Sequence, residues 1–561
     1  MLSKDLFEDK KNNTYLHKEV TPMMNKLPNY HQYDEFKNRS KKLQEIRELG
    51  IEPYPHKFSP KQEAQTLADK YTGKDIGNSE DALEGRTDFV CLSGRLTLFR
   101  AMGKNAFAQI QDHTGKIQIM FNRDVTTISG YEKKSDAPSL SSMKFIEKKM
   151  DIGDLIGVEG NVFRTNKGEL TILAKKFTLL CKSLLPLPDK HSGLLDKETR
   201  YRKRWLDLIS SSEAREVLIA RSRILQIVRR YFEESSFMEV ETPVLQNIYG
   251  GAAAKPFTTE FNALDKQKTY LRISLEIALK KLLVGGLNRI YEIGKVFRNE
   301  SIDKNHNPEF TLLEAYAAYW DYNDLMVFTE NLFEKIALEL FSTTEIPINS
   351  DGPIGSEGTT GYRTINMKAP WKRLTMKESI RKFTGIDVDK MEEEEIRAIL
   401  KESPKLDMKD LAKASRGKLI SMFFEEKVEH LLIEPHHIMD HPIETTPLCK
   451  LHRDPSERKH GMVERFESFI MGQEICNAYS ELNDPEIQRE LLVQQAKKKE
   501  AGDEEANPLD EEFIEAICQG MPPSAGIGIG IDRLIMLFTN ASTIRDVLYF
   551  PFMKHEKNHD D

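Results

Sequence analysis

Arg289-Ile290-Tyr291-Glu292-Ile293-Gly294-Lys295-Val296-Phe297-Arg298-Asn299-Glu300, a polar loop from Ser301 to Pro308, and then Glu309-Phe310-Thr311-Leu312-Leu313-Glu314-Ala315-Tyr316 form the stretch on which the fold turns. Two alternating runs about a loop predict a long antiparallel hairpin, in which residues two apart share a face. Arg298 and Glu300 then share one face, as do Phe310, Leu312, Glu314 and Tyr316 on the returning strand. An apolar sheet face does not seat an Arg and two Glu. The hairpin therefore carries either exposed cross-strand ion pairs or a binding surface. On the second reading the guanidinium grips a carboxylate or phosphate with two donors, the Phe ring offers a stacking plane, and the carboxylates bind amines or Mg²⁺. His306 in the loop is placed to reach outer phosphates, so a nucleotide phosphate and an amino-acid carboxylate could meet here.

Downstream, Glu464 to Asp484 repeats the pattern. Glu467 and Glu474 flank Gly472, a bend residue, so one cation could be shared by carboxylates from two strands, while Asn477, Tyr479 and Glu481 make a polar row on one face. Acids seven apart are more often a salt-bridged surface, and the polar row is what gives them weight. Gly526-Ile527-Gly528-Ile529-Gly530-Ile531-Asp532-Arg533-Leu534 reads as a Gly-rich strand entering a helix. No Lys-Ser/Thr follows the glycines and the spacing is wrong for a dinucleotide fingerprint, so phosphate chemistry falls to arginines.

Upstream, Val90–Leu96, Ala106–Asp112, Lys116–Phe121, Leu155–Val162 and Leu170–Leu180 are five short alternating runs, a spacing that suits a small Greek-key barrel of the OB type. Residues 1–75 read as a polar N-terminal arm with one helix over Tyr33–Leu49; 76–185 hold the barrel; 186–561 form a larger domain with a long amphipathic helix at Glu213–Ser235 and a helical insertion around 386–445. From Arg164 to Arg230, 16 Lys and Arg face 7 Asp and Glu, a local 16 − 7 = +9 within a chain of net charge −8. Such a band is either a solvated face or, beside a barrel of this type, a path for a phosphate backbone.

A length of 561 residues implies two or three domains, and 39% hydrophobic residues exclude a wholly disordered chain. No apolar run reaches the ~18 residues of a membrane span, and the start lacks the apolar core of a signal peptide. Five scattered cysteines without a C-x-x-C pair suggest neither a disulfide framework nor structural zinc. The expectation is a cytoplasmic protein with no membrane partner.

In this order, and with the strand-like Glu239–Pro243 before them, the three segments resemble the signature motifs of class II aminoacyl-tRNA synthetases. Phe297-Arg298-Asn299-Glu300, Gly250-Gly251-Ala252-Ala253-Ala254-Lys255-Pro256-Phe257, His306-Asn307-Pro308-Glu309-Phe310 and Tyr479-Ser480-Glu481-Leu482-Asn483-Asp484 narrow the resemblance to the lysyl-tRNA synthetase family of the bacterial and eukaryotic type. The resemblance covers about residues 85 to 555. It implies an α+β fold, an N-terminal OB-fold β-barrel plus a class II core built on an antiparallel, six-stranded β-sheet flanked by helices. The implied reaction is ATP-dependent ligation of L-lysine to tRNA(Lys) through a lysyl-adenylate, releasing AMP and diphosphate, by a homodimer associated through Glu239–Pro243.

Carried over residue by residue, Arg298 and Arg533 are the catalytic arginines, Arg298 bridging the α-phosphate and the lysine carboxylate. Phe310 is the adenine-stacking ring, Glu300, His306 and Asn307 are nucleotide contacts, and Glu467 and Glu474 hold Mg²⁺ beside ATP. Gly251, Glu276, Glu314, Tyr316, Asn477, Tyr479 and Glu481 form the lysine pocket, with Glu481 and Tyr316 on the side-chain ammonium and Glu276 on the α-amine. Arg100, Phe107 and Gln118 read the anticodon by stacking and base-edge hydrogen bonds; the bland alternative is an ordinary barrel surface. Ser301 stands where many relatives have Gly, and Ser342–Trp371 looks enlarged. Two other readings stay open: an aspartyl or asparaginyl enzyme, disfavoured by the acidic pocket, and a non-aminoacylating paralogue, disfavoured by intact barrel and motifs.

Overall fold

The computed structural model describes residues 28–131, 141–188, 194, 196–349, 362–404 and 406–554. The chain divides into two compact units, Met1–Gly193 and Leu194–Asp561.

In the first unit the strands Phe89–Met102, Asn105–Gln111, Lys116–Asn122, Leu155–Arg164 and Leu170–Cys181 close into a barrel, because Lys116–Asn122 also pairs in parallel with Leu170–Cys181. Alternation does the folding: Ala106, Ala108, Ile110, Ile117, Ile119 and Phe121 point inward and are buried. Gly160 sits at a register shift, and a Cβ there would fall 1.9 Å from the Leu173 carbonyl oxygen, so the strands can approach only because the side chain is missing. The stretch read as a surface arm is more than that from Asp34 onward. The helices Asp34–Glu48 and Ala64–Tyr71 place Ile46, Ala64, Leu67 and Tyr71 in the barrel's own core. The buried guanidinium of Arg39 donates to the carbonyls of Ile152, Ser183 and Leu185, and a polar composition concealed this packing.

The second unit is built on an eight-stranded sheet. Six strands are antiparallel, in the order His436–Pro442, Met462–Ile470, Gln473–Ser480, Ser524–Gly530, Glu309–Ala318, Arg289–Phe297. Two short parallel edge strands, Lys372–Thr375 and Met238–Glu239, extend the expected six to eight. His436–Pro442 lies within the stretch expected as a helical insertion; the helices Glu393–Leu400, Met408–Lys413 and Arg416–Lys427 precede it. Of the enlarged stretch, Glu345–Asn349 pairs with Tyr362–Asn366, and 350–361 lie outside the described residues.

One sheet face is apolar and is covered by the helices Ser212–Glu234 and Tyr322–Phe341, with Leu313, Ala315, Ala317, Ala525, Ile527 and Ile529 beneath them. The opposite face presents Phe310, Glu314 and Tyr316, and the glycines of Ser524–Gly530 fall on this side, clearing its floor. A buried ion pair ties the two faces together. Arg221, from Ser212–Glu234, donates to Asp532 Oδ1 at 2.6 Å and to Thr311 Oγ1 at 3.1 Å, and Asp532 Oδ2 accepts from the Thr311 amide at 2.8 Å.

Part of the positive band is committed to ion pairs. Lys182, Arg204 and Arg221 are buried, Lys182 between Asp151 and Asp154 and Arg204 against Asp207. Arg200, Arg202, Arg229 and Arg230 pair with Asp207, Glu198, Glu239 and Glu339. Three of its cations are thus internal, while Lys167, Lys176, Lys197, Lys203, Arg223, Arg229 and Arg230 remain exposed.

Asp532→Asn leaves the Arg221 charge buried and uncompensated, which is expected to cost about 3 kcal/mol or more. Thermal unfolding reads this as a lowered midpoint, and an unchanged midpoint would show that the pair carries no such burden.

Candidate active site

The hairpin strands end at Phe297 and restart at Glu309, so Arg298 lies just past the ladder, where its amide donates to the Pro308 carbonyl at 3.0 Å. Glu300 is exposed in the loop instead of sharing a strand face with Arg298, and Ser301 is exposed beside it. The Arg298 guanidinium lies over the Phe310 ring, 5.2 Å from its centroid. Opposite, Arg533 in the first turn of the helix Ile531–Thr539 donates to the Glu474 carbonyl oxygen at 2.8 Å, with Glu474 Oε2 at 3.4 Å. Its other nitrogen stands 3.2 Å from His306 Nε2, while His306 Nδ1 is 2.8 Å from Asp303 Oδ2. Two guanidinium groups, an imidazole and an aromatic ring thus converge where a planar, multiply anionic ligand fits. Asn307 is buried and acts as a brace for the loop: Nδ2 donates to the Glu309 carbonyl at 2.6 Å, and Oδ1 accepts from the Phe552 amide at 3.2 Å.

Glu467 and Glu474 sit on a hairpin whose turn, Met471-Gly472, has positive φ at both residues, 56° and 66°. Burial pushes both carboxyls above the usual range, and the charge of Glu467 pushes Glu474 further. Arg465 bonds Glu467 at 2.5 Å. Glu429, which residue-type patterning does not single out, is pushed up to about 7 by burial and then by Glu474 and Glu467. Carboxylates that disfavour one another's ionisation fit a divalent cation, which would relieve them. Among the described residues no group of three or more His, Cys, Asp and Glu is assembled to hold a metal ion, so a cation here would draw further oxygens from its ligand.

Beyond Arg298 the same face closes into a buried acidic pocket. Glu276 opens the helix Glu276–Val284 and accepts from the Tyr479 hydroxyl at 2.7 Å. Glu314 Oε1 accepts from Ser274 Oγ at 2.7 Å and the Leu275 amide at 3.0 Å, and Oε2 accepts from the Tyr316 hydroxyl at 3.1 Å. Burial, with the Glu276 charge second, pushes Glu314 up to about 7. Burial also keeps the Tyr316 and Tyr479 phenols protonated. Glu481 is fully buried, and its Oε1 has no hydrogen-bond partner. Lys280, one turn after Glu276, pairs with Glu276 at 2.5 Å and with Glu481. Asn477 lies on the same strand as Tyr479 and accepts from Arg465 at 3.0 Å.

Two glycines shape the walls. Gly251 has φ +87°, and a Cβ there would meet Ser274 Oγ at 2.7 Å and Glu276 Cβ at 2.9 Å. A Cβ at Gly526 would fall 2.2 Å from Glu481 Oε1 and 2.3 Å from Tyr316 Cε1. All seven expected pocket residues therefore line one sheet face or the helix and loop above it. Lys280 and Gly526 complete the set; Glu276-x-x-x-Lys280 was visible as an i,i+4 pair, and the alternate glycines as a bare strand face.

In the first unit, Arg100 pairs with Phe107 and Phe107 with Met120, while Gln109 pairs with Gln118. Directly opposed residues point the same way, so Arg100, Phe107 and Gln118 share the outer barrel face. Arg100 is exposed; Phe107 packs partly on Ala82 and Met120; Gln118 donates to Thr171 Oγ1 at 2.8 Å.

Residues 196–554 match the family described as tRNA synthetases class II (D, K and N), and residues 90–180 match the OB-fold nucleic acid binding domain. Among curated proteins, the chain is similar to a Lysine--tRNA ligase of Chlamydia caviae, 55% identical over 93% of this chain and 97% of that protein. It is similar to a protein of the same name from Chlamydia pneumoniae, 54% identical over 94% and 97%. One from Bacillus cytotoxicus is 44% identical over 94% and 98%.

Because a methyl at position 526 has nowhere to go, Gly526→Ala is expected to destabilise by about 1–3 kcal/mol while displacing Tyr316 and Glu481. A denaturant melt measures this, and wild-type stability would mean that the strand shifts freely.

Proposed function

The chain belongs to the class II tRNA synthetases, and from that premise we propose how its residues carry the activity of its relatives, ligation of lysine to tRNA with ATP through a lysyl-adenylate. The observation that carries the choice of amino acid is the pocket of Glu276, Glu314 and Glu481 with Arg298 at its mouth. A dicationic amino acid whose carboxylate must face a guanidinium fits this distribution, whereas a side-chain carboxylate, as in aspartate, would be buried against three acids.

In this reading the lysine side-chain ammonium takes Glu481 Oε1 and the Tyr316 hydroxyl, and Glu276 with the Gly251 backbone holds the α-ammonium. Asn477, Tyr479 and Glu314 complete the enclosure. Arg298 binds the lysine carboxylate and the ATP α-phosphate together, so that attack of the carboxylate on phosphorus runs in line and diphosphate leaves. The arginine stabilises the charge that builds on the phosphoryl oxygens. Phe310 stacks the adenine. Arg533 and His306 take the outer phosphates, so Arg533 leaves Glu474 when nucleotide binds, and Glu300 contacts the nucleotide from the loop. No protein nucleophile is required, because positioning and electrostatics supply the barrier reduction. The terminal ribose hydroxyl of tRNA(Lys) then attacks the adenylate carbonyl and AMP is released.

Glu467 and Glu474 would hold Mg²⁺ together with phosphate oxygens, which would neutralise phosphate charge. On the barrel, Arg100 and Phe107 take the unpaired anticodon by charge and stacking, and Gln118 reads a base edge. The proposed division is an N-terminal segment 1–75 whose helices from Asp34 onward belong to the barrel's core, an anticodon-binding barrel 76–185 and a catalytic domain 186–561. Association as a homodimer through Glu239–Pro243 is part of the same reading. Among the described residues no helix is long and apolar enough to cross a membrane; a cytoplasmic site of action is part of the same reading.

Amino-acid-dependent exchange of diphosphate with ATP across all twenty amino acids tests the whole. Lysine alone should support exchange, and exchange with aspartate, or none with lysine, overturns the reading. Glu481→Gln replaces a charge-assisted hydrogen bond and is expected to raise the KM for lysine about tenfold or more, with the KM for ATP little changed.

The pH response has a definite sign. Glu314 is raised to about 7, so it is ionised above that value and neutral below it. The KM for lysine should therefore rise as pH falls from 8 to 6, and a flat KM over that window would contradict a pocket role for Glu314.

A further inference from the structure

Lys280 is the charged group in the pocket for which the mechanism above has no use. It is fully buried, its stem is fixed in the helix Glu276–Val284, and its ammonium lies 2.5 Å from Glu276 Oε1, pairs with Glu481, and sits 5.5 Å from the Tyr479 ring centroid and 5.9 Å from that of Phe513. A buried ion pair is a poor way to gain stability, since an apolar side chain of similar volume usually does as well. The charges suggest another purpose. Glu276, Glu314 and Glu481 carry three negative charges when ionised, whereas lysine brings two ammonium groups into their midst. Lys280 is the third cation. It occupies one oxygen of Glu481 while Oε1, facing Tyr316 and Gly526, has no hydrogen-bond partner.

Resting on the lysine reading, we propose that Lys280 is a positioning residue that sets the pocket's charge. It holds Glu276 and Glu481 as oriented carboxylates before substrate arrives, so that the enclosure presents two net negative charges to a diammonium ligand. Burial works against the Lys280 ammonium, but Glu276 and Glu481 together raise it above the ordinary lysine range; burial holds the Glu481 carboxyl well above the ordinary carboxylate range, Glu276 and Glu314 push it further, and Lys280 is the group that opposes them. Around the pair stand Glu314, Tyr316, Tyr479 and Cys449 with Arg465 behind it, and Arg298 faces Glu314 at the mouth, where the substrate carboxylate is assigned to it. Without Lys280, the acids would take up a proton that lysine must displace.

The test is calorimetric titration of lysine into the full-length wild type and Lys280→Met at pH 8, in buffers of different ionisation enthalpy, which counts protons released on binding. Wild type should release close to none. Lys280→Met should release about one more, bind lysine at least about tenfold more weakly, and close part of that gap as pH rises from 7 to 8.5, while the KM for ATP in diphosphate exchange stays near wild type. Lys280→Arg, which keeps the charge, should retain the wild-type proton count. Wild-type affinity in Lys280→Met, or weaker binding with an unchanged proton count, overturns the proposal and leaves Lys280 merely structural. Should Lys280→Met fail to fold, the wild-type and Lys280→Arg counts still decide, because release of a full proton by the wild type at pH 8 is incompatible with preset carboxylates. Failure of the wild type to bind lysine at all would instead bring down the lysine reading, and this proposal with it.

Discussion

Three carboxylates held out of water within a single pocket impose the constraint around which the catalytic unit is organised. An isolated buried carboxylate takes a proton rather than remain charged. Each of the three is therefore provided for differently: Glu314 by Ser274, the Leu275 amide and the Tyr316 hydroxyl, Glu276 by Tyr479 and Lys280, Glu481 by Lys280. The provision is incomplete by design, since Glu314 is left near 7 and one oxygen of Glu481 has no hydrogen-bond partner. What is missing is positive charge, and that is the substrate's contribution.

A pocket of this kind needs walls that do not drift. Arg221 and Asp532 supply this by joining the helix behind the sheet to the residue next to Arg533 and, through Thr311, to the residue next to Phe310. A guanidinium and a stacking ring on the open face are thus fixed by an ion pair on the closed one. Glycine completes the arrangement by absence of side chains. At 526 the floor must be bare for Glu481 and Tyr316 to lie against it, and at 251 the backbone adopts positive φ under Ser274 and Glu276. The phosphate side is looser in character. Arg533, His306 and Asp303 are linked at a solvent-facing edge, and Arg533 rests on Glu474, so the anionic ligand and the acidic hairpin compete for one guanidinium.

Much of this was legible in the residues. Alternation placed Phe310, Glu314 and Tyr316 together, the Gly472 bend brought Glu467 near Glu474, and five short runs became five barrel strands, because two-residue periodicity is a local property of the chain. Other features were not. Asp34–Tyr71 looked like a solvated arm because only a few apolar residues in it are buried, yet those few reach the barrel core. A charge count over the +9 band cannot see that Lys182, Arg204 and Arg221 are buried against acids, two of them with partners distant in sequence. Nor could spacing show that the Asn307 amide ties two segments of backbone.

The sequence by itself determined the fold class, the chemical types brought to the site and, through its motifs, the family, since these depend on residue identity and short-range spacing. The tertiary structure alone decided which charges meet. Lys280 lies 201 positions before Glu481 and Arg221 lies 311 before Asp532, and the sign and strength of a buried charge are set by its neighbours in space and by the loss of water around it, neither of which is written in linear order.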